Sequence, residues 1–138
     1  EVYESLLDHR EDRIIILSVQ DTALVNALQR RAAVVLQKSI REGFGLTVAE
    51  AMWKGTPVIG GDVGGIRYQI EDGVNGFLVS SAEEAAERIV QLLQDGKLCG
   101  ELGRAARETV RKRFLLVRYL EQYLDLFNSF ETVYRFKG

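Results

Sequence analysis

The segment SIREGFGLTVAEAM, residues 39–52, decides the fold, because it places a glycine–aromatic–glycine loop directly before a helix. The two glycines, Gly43 and Gly45, allow backbone N–H groups to approach a ligand closely. The start of the following helix leaves unpaired N–H groups and the positive end of the helix dipole. Together these features predict a binding site for a phosphate or another oxygen-rich ligand.

Two carboxylates flank this loop: Glu42 precedes it and Glu50 lies in the helix, with seven residues between them. Carboxylates repel phosphate, so they indicate a ligand with another kind of group as well. A carboxylate offers only acceptors, whereas a vicinal diol offers two donors. Phosphate and diols occur together in a sugar nucleotide. From these residues alone, a structural role stays open, since Glu near a helix start complements the dipole and short motifs are often coincidental.

Composition and charge restrict the class of protein. The 138 residues are enough for one domain with a buried core, and 46% hydrophobic and 28% charged residues are ordinary for a soluble globular protein. The net charge of −2 gives no electrostatic case for nucleic acid, and no apolar run is long enough to span a membrane. The single cysteine, Cys99, cannot form an internal disulfide, which favours a cytoplasmic location.

Helix and strand patterns alternate along the chain. Helices are predicted at 1–10, 22–31, 46–54, 66–70, 82–94, 97–113 and 115–129, and strands at 13–19, 33–36, 57–60 and 76–79. This order predicts an α/β fold, a Rossmann-like parallel sheet with flanking helices. The run at 13–19 is apolar throughout, as in a strand buried on both faces. Ligands bind such sheets beyond the carboxyl ends of the strands, where the loop after strand 33–36 lies.

The arrangement of Glu42 and Glu50 resembles the E-x7-E signature of retaining, nucleotide-sugar-dependent glycosyltransferases of the GT-B fold, a group that includes glycogen, sucrose and trehalose synthases. Three later segments resemble the same family in the same order: AMWKGTPVI at 51–59, VGGI at 63–66 and IEDGVNGFLV at 70–79. The resemblance covers roughly residues 13–128. Within the family, residues 39–47 and 51–55 are most similar to the trehalose synthases that join a nucleotide-activated glucose to free glucose.

The resemblance implies that residues 1–138 form a single, partial C-terminal lobe of a GT-B fold, the lobe that binds the nucleotide-sugar, with C-terminal helices at about 97–129. Proteins of this family have several hundred residues in two lobes. The expected partners are therefore the N-terminal lobe of the same protein, a nucleotide-sugar and a sugar acceptor. We expect the 138 residues alone to be inactive. Because of the apolar surface left by their missing neighbours, we also expect them to self-associate or to be stable only beside the rest of the protein.

The resemblance also implies roles for the two carboxylates. Glu42 would be the catalytic residue, lying near the transferred sugar, binding its hydroxyls and helping to stabilise positive charge at the anomeric carbon. Glu50 would accept hydrogen bonds from the two ribose hydroxyls of the donor.

The remaining donor-binding residues would act through their backbone. Gly43, Phe44 and Gly45 would hold the sugar hydroxyls, and the N–H groups of Leu46 and Thr47 would face the diphosphate. The donor would be a nucleotide-sugar such as ADP-, UDP- or GDP-glucose. The family resemblance implies neither a cofactor nor a metal site.

Other functions compete with this hypothesis. An inactive Rossmann-like module that binds a nucleotide or sugar for regulation stays open, although the presence of both Glu42 and Glu50 favours the enzyme. A dinucleotide-dependent dehydrogenase is disfavoured, because no GxGxxG motif opens a βα unit. The charged helix at 97–118 mixes both signs, which is typical of a solvated face rather than a nucleic-acid site. The apolar stripe at 115–127 is predicted to pack, and the resemblance implies that the last helix reaches across to the other lobe, which leaves part of the stripe uncovered in these residues.

Overall fold

The structure, a computed structural model, describes residues 15–18 and 20–135, with side chains described as far as residue 130. Within these residues the chain forms three strands and six helices. In chain order they are α1 (Thr22–Arg31), β1 (Val35–Gln37), α2 (Leu46–Lys54), β2 (Val58–Gly61), α3 (Ile66–Gln69), β3 (Phe77–Val79), α4 (Ala82–Gln94), α5 (Gly96–Arg113) and α6 (Leu116–Arg135).

The three strands form a parallel sheet in the order β1-β2-β3. Val35 pairs with Val58 across the first ladder, and Ile59 pairs with Phe77 across the second. Helices connect successive strands, as parallel pairing requires. The predicted α/β fold with a parallel sheet and flanking helices is therefore confirmed.

Two apolar clusters form the core, one on each face of the sheet. Neighbouring residues of a strand point to opposite faces, so Val58 joins a cluster with residues of α2, α3 and α5, while Ile59 joins one with residues of β3, α4 and α5. Helix α5 contributes to both clusters and so packs the two layers together. This layering fixes the position of α2, the helix that carries Glu50.

Helix α2 packs closely against α5 through two glycines. Gly55 ends α2 in the left-handed conformation, with φ of 76°. A Cβ on Gly103 would lie far inside van der Waals contact with the carbonyl oxygen of Gly55. The absence of a side chain at residue 103 therefore allows the end of α2 to rest directly on α5.

The strand predicted at 13–19 is not observed in residues 15–18, the part of this run that the structure describes. Residues 15–18 form no strand, and the side chain of Ile15 is 81% exposed. The prediction assumed a neighbouring strand on each side, whereas the described sheet begins at β1 and contains no partner for this run. Residues 13, 14 and 19 and the predicted helix at 1–10 lie outside the described residues.

The charged face of α5 is solvated, as predicted, and several of its charges are paired within the protein. Glu108 accepts hydrogen bonds from Arg111 at 2.7 Å and lies 3.2 Å from the ammonium of Lys112. These two cations lower the pKa of Glu108 to about 2. Arg107 stacks over the ring of Trp53, 5.3 Å from its centroid. Arg107, Arg111 and Lys112 are thus engaged with side chains of the protein itself.

The apolar stripe of α6 is exposed. The helix was predicted at 115–129 and runs over Leu116–Arg135. Leu124 is 62% exposed, and Leu116, Leu120 and Phe127 are exposed to a similar degree. Leu115, at the start of the stripe, packs against the core, whereas the remainder of the stripe does not pack within the described part of the chain as predicted. This agrees with the expectation that the 138 residues leave apolar surface uncovered, whereas their self-association stays a prediction.

Candidate functional site

The site loop, residues 38–45, connects β1 to α2 at the carboxyl end of the sheet. Gly45 is the N-cap of α2 and adopts the left-handed conformation, with φ of 85° and no side-chain cap. Its carbonyl oxygen accepts hydrogen bonds from the N–H groups of Val48 and Ala49. In the part of the chain that is described, no protein acceptor receives the N–H groups of Leu46 or Thr47. These two donors and the positive end of the helix suit an anionic group.

The site loop packs against a glycine pair, Gly64 and Gly65, which follows β2. The N–H group of Gly65 donates to the carbonyl oxygen of Glu42 at 3.1 Å. A Cβ on Gly65 would lie 2.5 Å from Phe44 Cα, and one on Gly64 would collide with the carbonyl oxygen of Glu42. Only glycine allows the two loops to approach this closely. The VGGI segment thus shapes the loop that carries Glu42.

Gln69, a residue that the sequence analysis missed, supports the site loop from α3. Its side chain is fully buried, and Nε2 donates to the carbonyl oxygen of Phe44 and, at 3.4 Å, to that of Gly45. Its Oε1 is buried and has no hydrogen-bond partner among the described residues. A buried glutamine that holds loop carbonyls fixes the direction in which the N–H groups of the loop point.

Glu42 is half-buried at the turn of the site loop. Its Oε2 lies 3.5 Å from Ser39 Oγ, at the long end of hydrogen-bond range. Ser39 Oγ in turn accepts a hydrogen bond from Gln37 Nε2 at 2.8 Å. Among the described residues, Ser39 is the side chain that hydrogen-bonds this carboxylate and no ion pair occupies it, so the carboxylate keeps acceptor capacity for a ligand.

Glu50 lies in the second turn of α2, half-buried and away from the glycine pair. Its Oε2 accepts a hydrogen bond from Gln29 Nε2 at 3.2 Å. The carboxylate borders a cleft of about 450 Å³ between α1 and α2. The cleft is lined by Gln20, Asp21, Thr22, Val25, Asn26, Gln29 and Glu50.

Phe44 projects from the tip of the site loop and is half exposed. Its ring contacts Phe114 edge-to-face, with 5.8 Å between the centroids. The two rings border a second cavity of about 360 Å³ near the start of α6, together with Arg113 and Tyr119. The side chain of Phe44 thus points toward the C-terminal helices, and its backbone remains part of the loop.

The structure therefore places the predicted site residues next to one another, along the site loop and the first two turns of α2. Glu42, Gly43, Phe44 and Gly45 form the loop, Leu46 and Thr47 open α2, and Glu50 follows one turn later beside the cleft. Among the described residues, no three His, Cys, Asp or Glu side chains are arranged to hold a metal ion. No helix in the same part of the chain is long and apolar enough to cross a membrane.

The family model for glycosyl transferases group 1 matches residues 5–109, and the chain belongs to that family. It is 57% identical over 105 residues to a trehalose synthase of Pyrococcus horikoshii, and 50% identical over 103 residues to one of Rubrobacter xylanophilus. These alignments cover 76% and 75% of this chain, but 25% and 24% of the relatives. The chain thus spans about a quarter of the length of these curated relatives.

Solved structures agree with this assignment. Sucrose-phosphate synthase of Thermosynechococcus elongatus aligns with a TM-score of 0.81 at 29% identity, covering 95% of this chain and 34% of that one. Anabaena HepE in complex with UDP-glucose aligns with a TM-score of 0.80 at 26% identity, covering 93% of this chain and 36% of that one. The fold is that of part of a GT-B glycosyltransferase.

Proposed function

We propose that this chain is the donor-binding part of a retaining glycosyltransferase that transfers glucose from a nucleotide-glucose to a sugar acceptor, with free glucose as acceptor and trehalose as product. The observation that carries the proposal is the arrangement of binding groups along α2, from its N-terminus to Glu50. Two N–H donors lie at the start of this arrangement and a carboxylate lies beside a cleft at its end. The identity to trehalose synthases supports the choice of product.

In this proposal the N–H groups of Leu46 and Thr47 bind the diphosphate of the donor. Negative charge builds on the diphosphate as its bond to the sugar breaks, and donors that are already oriented stabilise that charge without reorganisation. Gly43, Phe44 and Gly45 hold the sugar hydroxyls through the backbone. The carbonyls of the last two are fixed by Gln69, which keeps the loop in one conformation.

Glu42 binds the hydroxyls of the transferred sugar and stabilises positive charge on its anomeric carbon as the bond breaks. The acceptor approaches from the N-terminal lobe, so the 138 residues alone are expected to be inactive. Positioning of the acceptor is worth several kcal/mol in reactions of this kind.

The proposed activity is tested by incubating the full-length protein with UDP-, ADP- or GDP-glucose and free glucose. We expect a disaccharide that chromatographs with trehalose and whose donor-derived anomeric carbon keeps the α configuration by NMR. Donor binding without transfer or hydrolysis would instead favour the regulatory module. A product of inverted configuration would reject the retaining mechanism.

Glu50→Ala is expected to weaken binding of the nucleoside diphosphate by about 1.5–3 kcal/mol, the scale for hydrogen bonds to a charged group. The fold should persist, because Glu50 is only half-buried at the edge of a cleft. Titration calorimetry of the full-length protein measures the affinity. Glu87→Ala, which removes an exposed carboxylate on α4, is the matched control. Equal affinities for the two variants would reject the ribose role of Glu50.

A further inference from the structure

Gln29 is the one buried residue of α1, with 6% of its surface exposed. A buried glutamine requires partners for its amide, since an unpaired polar group in the interior is costly. The other residues of α1 are exposed apart from the half-buried Leu24, and the exposed ones include the apolar Val25 and Leu28. The burial of Gln29 therefore reflects its contacts with other elements.

Three contacts fix Gln29 between α1 and α2. Its Nε2 donates to Glu50 Oε2 at 3.2 Å, and its Oε1 accepts a hydrogen bond from Lys54 Nζ. Its backbone carbonyl oxygen accepts a hydrogen bond from Thr56 Oγ1 at 2.6 Å. Both ends of the amide and the backbone are thus held, which leaves the side chain one orientation.

Gln29 takes the place of an ion pair that Glu50 and Lys54 would ordinarily form with each other on α2. Glu50 and Lys54 are four residues apart on α2, with the acid first, the spacing at which such residues normally form an ion pair. Among the ion pairs of the described residues, none joins them within 4.0 Å. The amide of Gln29 lies between the two instead, contacting the carboxylate with its donor end and the ammonium with its acceptor end.

We propose that Gln29 is a positioning residue of the donor site, which orients Glu50 and keeps the Lys54 ammonium away from its carboxylate. The inference rests on the proposed function, in which Glu50 binds the ribose hydroxyls. A direct ion pair with Lys54 would occupy the acceptor atoms that the ribose needs. A half-buried ion pair is also screened less by salt than an exposed one, so it would compete effectively.

The test uses the full-length protein and calorimetric titration with UDP, ADP and GDP, followed by the tightest of them and its 2′,3′-dideoxy counterpart. Gln29→Met keeps the length of the side chain and removes both ends of the amide. We expect it to weaken ribonucleotide binding about 10-fold, the scale for one hydrogen bond to a charged group. The dideoxy compound has no hydroxyl for Glu50, so its affinity should change less than about 2-fold.

A double variant distinguishes an effect of Gln29 on the availability of Glu50 from an effect of Gln29 on packing. In Gln29→Met/Lys54→Met no ammonium remains to pair with Glu50, so most of the lost ribonucleotide affinity should return. Gln94→Met, an exposed position on α4, is the matched control.

Several results would overturn the proposal. Equal losses for the ribonucleotide and the dideoxy compound would show that Gln29 acts only through packing. Failure of the double variant to recover affinity would show that Lys54 does not compete for Glu50. If the unmodified protein binds none of the three nucleoside diphosphates, the proposed function fails together with this inference.

Discussion

Glu42→Gln is expected to lower the rate constant for glucosyl transfer by about 100- to 1000-fold, the range seen when one electrostatic contact to a transition state is removed. The substitution preserves size and leaves an amide that can still bond Ser39. It removes the negative charge that, in the proposed function, stabilises positive charge on the anomeric carbon. Since that positive charge develops only in the transition state, kcat should fall while KM for the donor changes by less than about 3-fold.

Steady-state kinetics of the full-length protein measures both constants, with Glu71→Gln, an exposed carboxylate after α3, as the control. Glu42→Asp keeps the charge but shortens the side chain, and should retain more activity than Glu42→Gln. The catalytic role is rejected if Glu42→Gln keeps a third or more of the normal kcat. An increase in KM with unchanged kcat would assign Glu42 to substrate binding alone.

Helix α2 was predictable from sequence because both of its ends carry local signals. Gly45 and Gly55 adopt positive φ at its start and end, a conformation that glycine reaches without strain. The predicted and observed bounds agree for this reason. The Ser81 cap of α4 is likewise local, since its Oγ accepts the N–H of Glu84 at 3.1 Å.

Strand positions depend on partners and were predicted less well. The strand predicted at 33–36 is observed at Val35–Gln37, where pairing with Val58 begins. Residue 57 is proline and has no N–H group, so the ladder starts one residue later on β2 than predicted. The apolar run at 13–19 shows the same dependence more strongly: without a paired strand, β-branched residues alone do not make one.

The two buried glutamines were beyond the reach of sequence analysis. Gln29 and Gln69 occur in helical segments where a glutamine ordinarily faces solvent. Their burial arises only when α1 meets α2 and when α3 meets the site loop. One weak signal existed for Gln69, because it stands beside Ile66 and Ile70 in a turn with an apolar face. The catalytic and donor-binding candidates could be named because they lie within one contiguous motif, whereas their supports come from distant segments.

Gly65→Ala is expected to reduce donor affinity and transfer together, by roughly 100-fold, the scale for a misplacement of about 1 Å in a reacting site. The new Cβ would lie 2.5 Å from Phe44 Cα and 2.7 Å from its carbonyl oxygen. Both are backbone atoms, so no side-chain rotation relieves the collision. The site loop must move away from the glycine pair, which removes the hydrogen bond from Gly65 to Glu42 and turns the N–H groups of the loop from the donor.

Gly103→Ala is the matched control, because it creates an equally close collision with the backbone at Gly55, at the opposite end of α2 from the site loop. Overpacking of this kind costs about 1–3 kcal/mol of stability, and both variants should show it as a lowered melting temperature. Only Gly65→Ala should lose donor binding in calorimetry on the folded protein. If both variants bind the donor equally well, the collision at residue 65 is absorbed without moving the loop, and the glycine pair does not shape the site. If both lose binding alike, the donor site depends on overall stability rather than on the contact between the glycine pair and the loop that carries Glu42.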